Sequence, residues 1–207
     1  MTNSSSRPEI ADPIAWFGLL IGIATMWLFV AGWSYVYAYF GRLNISVGLV
    51  GAEAQELIVY GALALSHNVG WLLANVVLFL ILTYSVLIFD QIRFRLEMII
   101  IGTIVITGFF FAHRAGLRAG EEIYDLQRNS GFNVYNRVAI KPTSQVDSDG
   151  LLSALAENEC SLAVVLRPDR IILIRPDKSQ PGMALRAFIV PMGSIESLSI
   201  SDARGSC

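Results

Sequence analysis

Charge is what this chain has least of. Only 15% of its 207 residues are Asp, Glu, Lys or Arg, against about 25% in ordinary soluble domains. Hydrophobic residues make up 54% and the mean hydropathy is +0.56, which is the composition of a membrane protein. A net charge of −2 leaves no basic footprint for nucleic acid. Cysteine is nearly absent: Cys160 and Cys207 are the only two, with no CxxC and no Cys/His cluster to hold a structural zinc ion. Those two thiols pair only if both face an oxidising compartment; a buried thiol and a free tail thiol is the other reading. Histidine occurs twice, at His67 and His113, in different segments, so no HExxH places two imidazoles on one helix face. There is no GxxxxGK[ST] phosphate loop, no GxGxxG after a strand and no GxSxG nucleophile elbow. No cofactor or metal is expected, and the chain reads as non-enzymatic.

Long hydrophobic runs are what the chain does have. Residues 71–89 (WLLANVVLFLILTYSVLIF) carry no formal charge, and about 20 such residues cross a hydrocarbon core of about 30 Å. Asp90, Gln91, Arg93 and Arg95 then mark a return to water. Residues 96–115 form a second arm with Glu97 at one end and His113 and Arg114 at the other, where long or amphipathic side chains reach the headgroups. A buried soluble hairpin is the competing reading, but soluble helices normally keep a polar face. The pair therefore predicts a membrane hairpin over 70–89 and 96–115.

Residues 1–13 read as a disordered polar tail, and residues 14–39 as a first span. Its core is too long for a signal peptide, and no small-x-small cleavage site follows. Trp33, Tyr35, Tyr37, Tyr39 and Phe40 crowd its far end, as aromatics do at headgroup level. Gly18 and Gly22 form a GxxxG pair that predicts close helix packing against the hairpin, with dimerisation as the alternative. Residues 53–65 (EAQELIVYGALAL) have helical composition, but a fourth span would put Glu53 and Glu56 near mid-bilayer. Each carboxylate there costs about 2.5–3.5 kcal/mol. An interfacial helix with both acids in its first turn is preferred, because the helix dipole favours acids there. Asn75, the strong polar group of the 70–89 arm, predicts an interhelical hydrogen bond.

Beyond the membrane domain (14–116) the charge density rises, with ten basic and eleven acidic residues in 117–207. Residues 117–131 read as a helical connector ended by Gly131. The pattern then changes to period two: Val134, Asn136, Val138 and Ile140 alternate with Tyr135, Arg137, Ala139 and Lys141 up to Pro142. Residues 149–157 suggest a short helix. The segments 162–166 and 171–174 flank Arg167-Pro168-Asp169-Arg170, a hairpin turn. Further strands follow at 185–190 and 196–200, separated by 191–194. The expectation is a small β-rich domain over 132–202, a sheet or partly open barrel, with a tail at 203–207.

The fold class is thus three transmembrane α-helices plus an interfacial helix, followed by a small β-rich soluble domain. Three spans place the N-terminus and the Asp90–Arg95 loop on one side and the β domain on the other. The tight Arg93/Arg95 loop favours a cytoplasmic first side and an exported domain, although Arg114 and Arg118 pull the other way. The remaining candidates for chemistry are Glu53, Glu56, His67 and His113; a solvated first turn and interfacial imidazoles account for all four, and an enzyme reading rests on them alone. An oligomeric channel or transport accessory is the second reading, drawn from the glycine pair and from Gly102, Thr103, Thr107 and Gly108. The expected partners are the lipid bilayer, a second copy of the chain and a protein bound by the β domain.

The segment 36–65 (VYAYFGRLNISVGLVGAEAQELIVYGALAL), with Ser34 and Tyr35 before it, resembles a pattern in small uncharacterised bacterial inner-membrane proteins. In those, a first span leaves through clustered aromatics, then F-G, before a second span. The stretch 185–200 (LRAFIVPMGSIESLSI) is similar to their C-terminal strand–proline–turn–strand ending. The resemblance covers under half the chain and implies architecture, a few spans plus a small β domain in an inner membrane, and no active site.

Overall fold

The structure, a computed structural model, describes residues 13–67, 70, 73, 77, 93–130, 132, 135–143, 161–177 and 184–201. The helices are α1 (Pro13–Arg42), α2 (Val47–Val50), α3 (Ala54–Ser66) and α4 (Arg93–Asn129). Five strands follow: β1 (Asn136–Pro142), β2 (Leu162–Leu166), β3 (Arg170–Asp177), β4 (Ala184–Pro191) and β5 (Ile195–Ser201). Most of the 70–89 arm, Asn75, Gly131, the 149–157 helix and both cysteines lie outside the described residues. The third span and the connector, read above as separate, are one uninterrupted helix of 37 residues, about 55 Å long. Two compact units result, Met1–Val36 with Glu53–Ala119, and Tyr37–Ala52 with Gly120–Cys207.

In the first unit α1 is the central element. Its stretch Ile21–Arg42 is long and apolar enough to cross a membrane, and among the described residues no other helix meets that measure. Small residues set its contacts. A Cβ on Gly32 would strike the Leu57 carbonyl of α3, and one on Gly61 would strike the Leu28 carbonyl of α1. These two pairs run in opposite senses along the chain, so α1 and α3 are antiparallel and nearly backbone to backbone. Along α4, a Cβ on Gly108 would meet the Trp27 indole, and one on Gly116 the Ala31 carbonyl. Those pairs rise together, so α1 and α4 are parallel. Ala31, Ala64, Ala112 and Ala115 are buried, while large apolar side chains face outward: Leu19, Ile21, Met26, Phe29, Val59, Ile106 and Phe110 are 38–67% exposed. Small residues inside and large ones outside reverse the order of a water-soluble bundle.

The second unit holds the β domain. All five expected strands form, in the antiparallel order β4-β3-β2-β1-β5. The strands at the two edges are consecutive in the chain, joined only by the 3₁₀ turn Met192–Ser194. A flat sheet would hold them four spacings apart, about 19 Å, whereas four residue steps reach about 14 Å at most. The sheet must therefore curl into a partly closed barrel. Hydrogen bonds pin the closing turn to both sides: Met192 N–H donates to the Asp169 carbonyl (2.9 Å) and Thr143 N–H to the Ser194 carbonyl (3.0 Å). Val138, Ile140, Ile171, Leu173 and Val190 fill one face, with Ala163, Phe188, Met192, Ile195 and Leu198 packed around them. Irregular pairing between Ala163 and Val165 in β2 and at Lys141/Pro142 in β1 supplies the bend. The expected turn at 167–170 is present, closed by Arg167 N–H to the Arg170 carbonyl at 2.9 Å.

Candidate functional site

One polar contact joins α1 to α4 within the first unit. Ser34, 2% exposed, shares a 2.7 Å hydrogen bond with Nδ1 of His113 on α4. A serine on α1 packs beside Gly116, and the small residue there lets the ring one turn earlier on α4 reach the hydroxyl. Two turns before Ser34, Trp27 covers Gly108. His113 is exposed as a residue. This geometry ties α1 to α4; among the described residues no acid bonds His113 to orient it as a base. Ser34→Ala is expected to cost about 0.5–1.5 kcal/mol. In a double-mutant cycle with His113→Ala, read from thermal unfolding in detergent, a coupling energy near zero would remove the bond from the account.

Glu53 and Glu56 belong to α3's start. Glu53 is its N-cap, and the two form a reciprocal capping box in which Glu53 N–H donates to Glu56 Oε2 at 3.1 Å. Two backbone donors that a helix start leaves open are satisfied in this way. His67 is the C-cap of the same helix and is exposed. None of these three is brought to His113 by any contact among the described residues. Gly18 and Gly22 are exposed, and no described residue lies within 4 Å of a Cβ built on either; most of their expected partner, the 70–89 arm, and Asn75 lie outside the described residues. Of the small residues offered as a channel lining, Gly108 is filled by Trp27, and the Thr103 hydroxyl donates back to the Ile99 carbonyl at 2.8 Å. Among the described residues no three His, Cys, Asp or Glu side chains converge as metal ligands.

The aromatic cluster at the end of α1 divides by helical phase. Trp33 and Tyr37, four apart, are 48% and 61% exposed, as a headgroup belt requires. Tyr35, Tyr39 and Phe40 are buried instead. Tyr35 stacks on Tyr60 of α3, with ring centroids 5.2 Å apart and planes at 14°. In the second unit the Tyr39 hydroxyl bonds both Gln127 Oε1 and the Tyr135 hydroxyl. Around it Tyr124 and Phe132 stand edge to face at 5.9 Å, and Arg42 pairs with Glu121 at 3.1 Å. Phe132 has a φ of 57°, in the left-handed region that a bulky side chain rarely adopts. Its burial to 1% exposure beside Tyr124 and Tyr135 offsets that strain. Sequence reasoning placed Trp33, Tyr35, Tyr37, Tyr39 and Phe40 together in the belt; its missing signal was the 100° step per residue, which turns some of these rings inward.

Within each unit these contacts are packing contacts, and among the described residues no cluster takes the roles of nucleophile, base and charge stabiliser. Compared with protein-family models, curated proteins and solved structures, the chain matches none.

Proposed function

We propose that this chain is a multi-pass inner-membrane protein whose helices anchor a small β barrel that serves as an interaction or sensing module. One observation carries the reading: the first unit packs through Gly32, Gly61, Gly108 and Gly116 while large apolar side chains face outward. In water that arrangement wastes apolar burial; in lipid, where tails are as apolar as leucine, close backbone packing is what favours helix association. Three spans are supported by direction. With Trp27 beside Gly108 in parallel helices, α1 residues 17–31 run alongside the uncharged 98–112 of α4. Two parallel spans need a return crossing, and the uncharged run between them is 71–89. A retained α1 also fits this packing better than a cleaved signal sequence, because α3 and α4 both rest on it. The Arg93/Arg95 loop supports an exported barrel.

The test combines extraction and thiol accessibility. The chain is expected to stay in the membrane pellet after alkaline carbonate treatment; release into the supernatant would overturn the anchoring. In the single-cysteine variants Cys160→Ser and Cys207→Ser, a membrane-impermeant maleimide is expected to label the remaining thiol in intact cells. Labelling only after lysis would place the barrel in the cytoplasm. The module reading itself predicts that deleting 136–201 abolishes the phenotype of the whole chain while leaving membrane insertion intact; a deletion without consequence would overturn it.

A further inference from the structure

The contacts of α3 set its depth beside α1. A Cβ on Gly32 would strike the Leu57 carbonyl, and one on Gly61 the Leu28 carbonyl. Two close approaches one helical turn apart leave the helices side by side, antiparallel and with little crossing. Each step along α3 is therefore a step back along α1. Continuing this register sets Glu56 near Trp33, which is 48% exposed in the aromatic belt, and His67 at about the level of Gly22 to Ala24. From Glu56 to His67 the helical rise is about 16 Å, about half of a hydrocarbon core of about 30 Å. The composition of α3 fits this depth better than the interfacial placement expected for it. Both acids stand at its start, in the capping box, and from Leu57 to Leu65 no side chain is charged. A helix lying in the interface keeps a charged or polar face along its length, whereas here Val59 and Leu63 are exposed.

At that depth the helix stops. Ser66 is its last residue and His67 its C-cap, and both are exposed. Alongside them no charged side chain occurs on α1 between Gly18 and Leu28, or on α4 between Ile99 and Gly108. A helix end and an exposed ionisable side chain are separate facts, and hydrocarbon accommodates neither. The last carbonyls of a helix need partners, and irregular backbone at membrane depth stands only where protein buries it or water reaches it. Ionisable side chains within a membrane face a bundle interior or a water-filled cavity. The exposure of Ser66 and His67 leaves water. We propose that α3 is a re-entrant helix, and that Ser66 and His67 line a water-filled vestibule reaching about half-way across the bilayer from the side of Ser46. The first unit then does more than anchor the barrel: it admits water, and hydrophilic solutes small enough to follow, to an imidazole at mid-membrane depth. The inference rests on the multi-pass reading with 71–89 as the return crossing, because a chain that enters with α3 and then crosses with 71–89 starts both from one side.

Cysteine accessibility tests the vestibule. The full chain carrying Cys160→Ser and Cys207→Ser receives a single His67→Cys, and intact cells and inside-out vesicles are treated with a charged, membrane-impermeant methanethiosulfonate. The thiolate is the reacting form, and it does not form in hydrocarbon. Two further single-cysteine chains frame the result: Ser46→Cys, in the exposed connection between α1 and α3, and Ile106→Cys, 59% exposed on α4 at a similar depth. His67→Cys is expected to react at least tenfold faster than Ile106→Cys, and from the same side as Ser46→Cys. If His67→Cys fails to insert, Ser66→Cys, which exchanges one oxygen for sulfur, takes its place with the same expectation. An unreactive thiol at the break beside a reactive Ser46→Cys overturns the vestibule, and reaction only from the opposite side overturns the re-entrant path. Failure of the multi-pass reading looks different: Ile106→Cys would then react as fast as Ser46→Cys, and the vestibule would fall with it.

Discussion

Gly32→Ala is expected to destabilise the first unit by about 2–4 kcal/mol, the upper range for forcing atoms into a filled contact. The reason is the identity of the obstacle. The new methyl group would meet the Leu57 carbonyl and the Gly61 amide nitrogen, which are backbone and cannot turn aside as a side chain would. The helices have to separate, and separation also parts the Tyr35–Tyr60 stack. Gly61→Ala should behave alike, since its Cβ would strike the Leu28 carbonyl from the other side of the same crossing. The informative comparison is Gly18→Ala with Gly22→Ala, which meet nothing among the described residues. Thermal unfolding in detergent, followed by helical circular dichroism, should show a lowered midpoint for the first pair and an unchanged one for the second. Equal losses in all four would mean that the 70–89 arm packs on Gly18 and Gly22 as closely as α3 packs on Gly32.

Leu173→Ala is expected to unfold the barrel while leaving the anchor in place. Leu173 is fully buried at the centre of β3, in a core made by strands β1, β3 and β4. Truncation removes its transfer energy and leaves a cavity, together about 2–5 kcal/mol. A domain of this size has only several kcal/mol in total. Limited proteolysis of native membranes should therefore cut the variant between Asn136 and Ser201 at least tenfold faster than the native chain, with the fragment containing α1 still membrane-bound. Ile189→Ala, whose side chain is 43% exposed on the opposite face, is the control and should change proteolysis little. Rapid cleavage of both would mean that a partner or the bilayer covers Ile189.

The elements of this fold could be read locally, and their partners could not. Alternation around Val138 and Ile140, the Arg167–Arg170 turn and the proline-marked break at 191–194 located the strands, because each is a property of a few neighbouring residues. The start of α3 was legible for the same reason, although both acids were expected in its first turn and Glu53 is instead the N-cap paired with Glu56 in a capping box. The α1–α3 crossing was hidden. Neither Gly32 nor Gly61 has a second glycine four residues away, so the familiar spacing pointed to Gly18 and Gly22. The Ser34–His113 bond joins residues 79 positions apart and was equally out of reach.

The pairing of β1 with β5 has a consequence for biogenesis. Arg137 and Ser201 are partners across 64 positions of chain, so the strand of the sheet made first is completed by the strand made last. While β2, β3 and β4 emerge they can zip as a meander, but β1 keeps a bare edge until Ile195–Ser201 has left the ribosome. Contacts of such long sequence separation slow the rate-limiting step of folding, and an unpaired edge is where chains join each other. By then α1 and α4 are already synthesised, so, on the anchoring proposed above, the wait is spent by a chain held at the bilayer, where diffusion is confined to two dimensions.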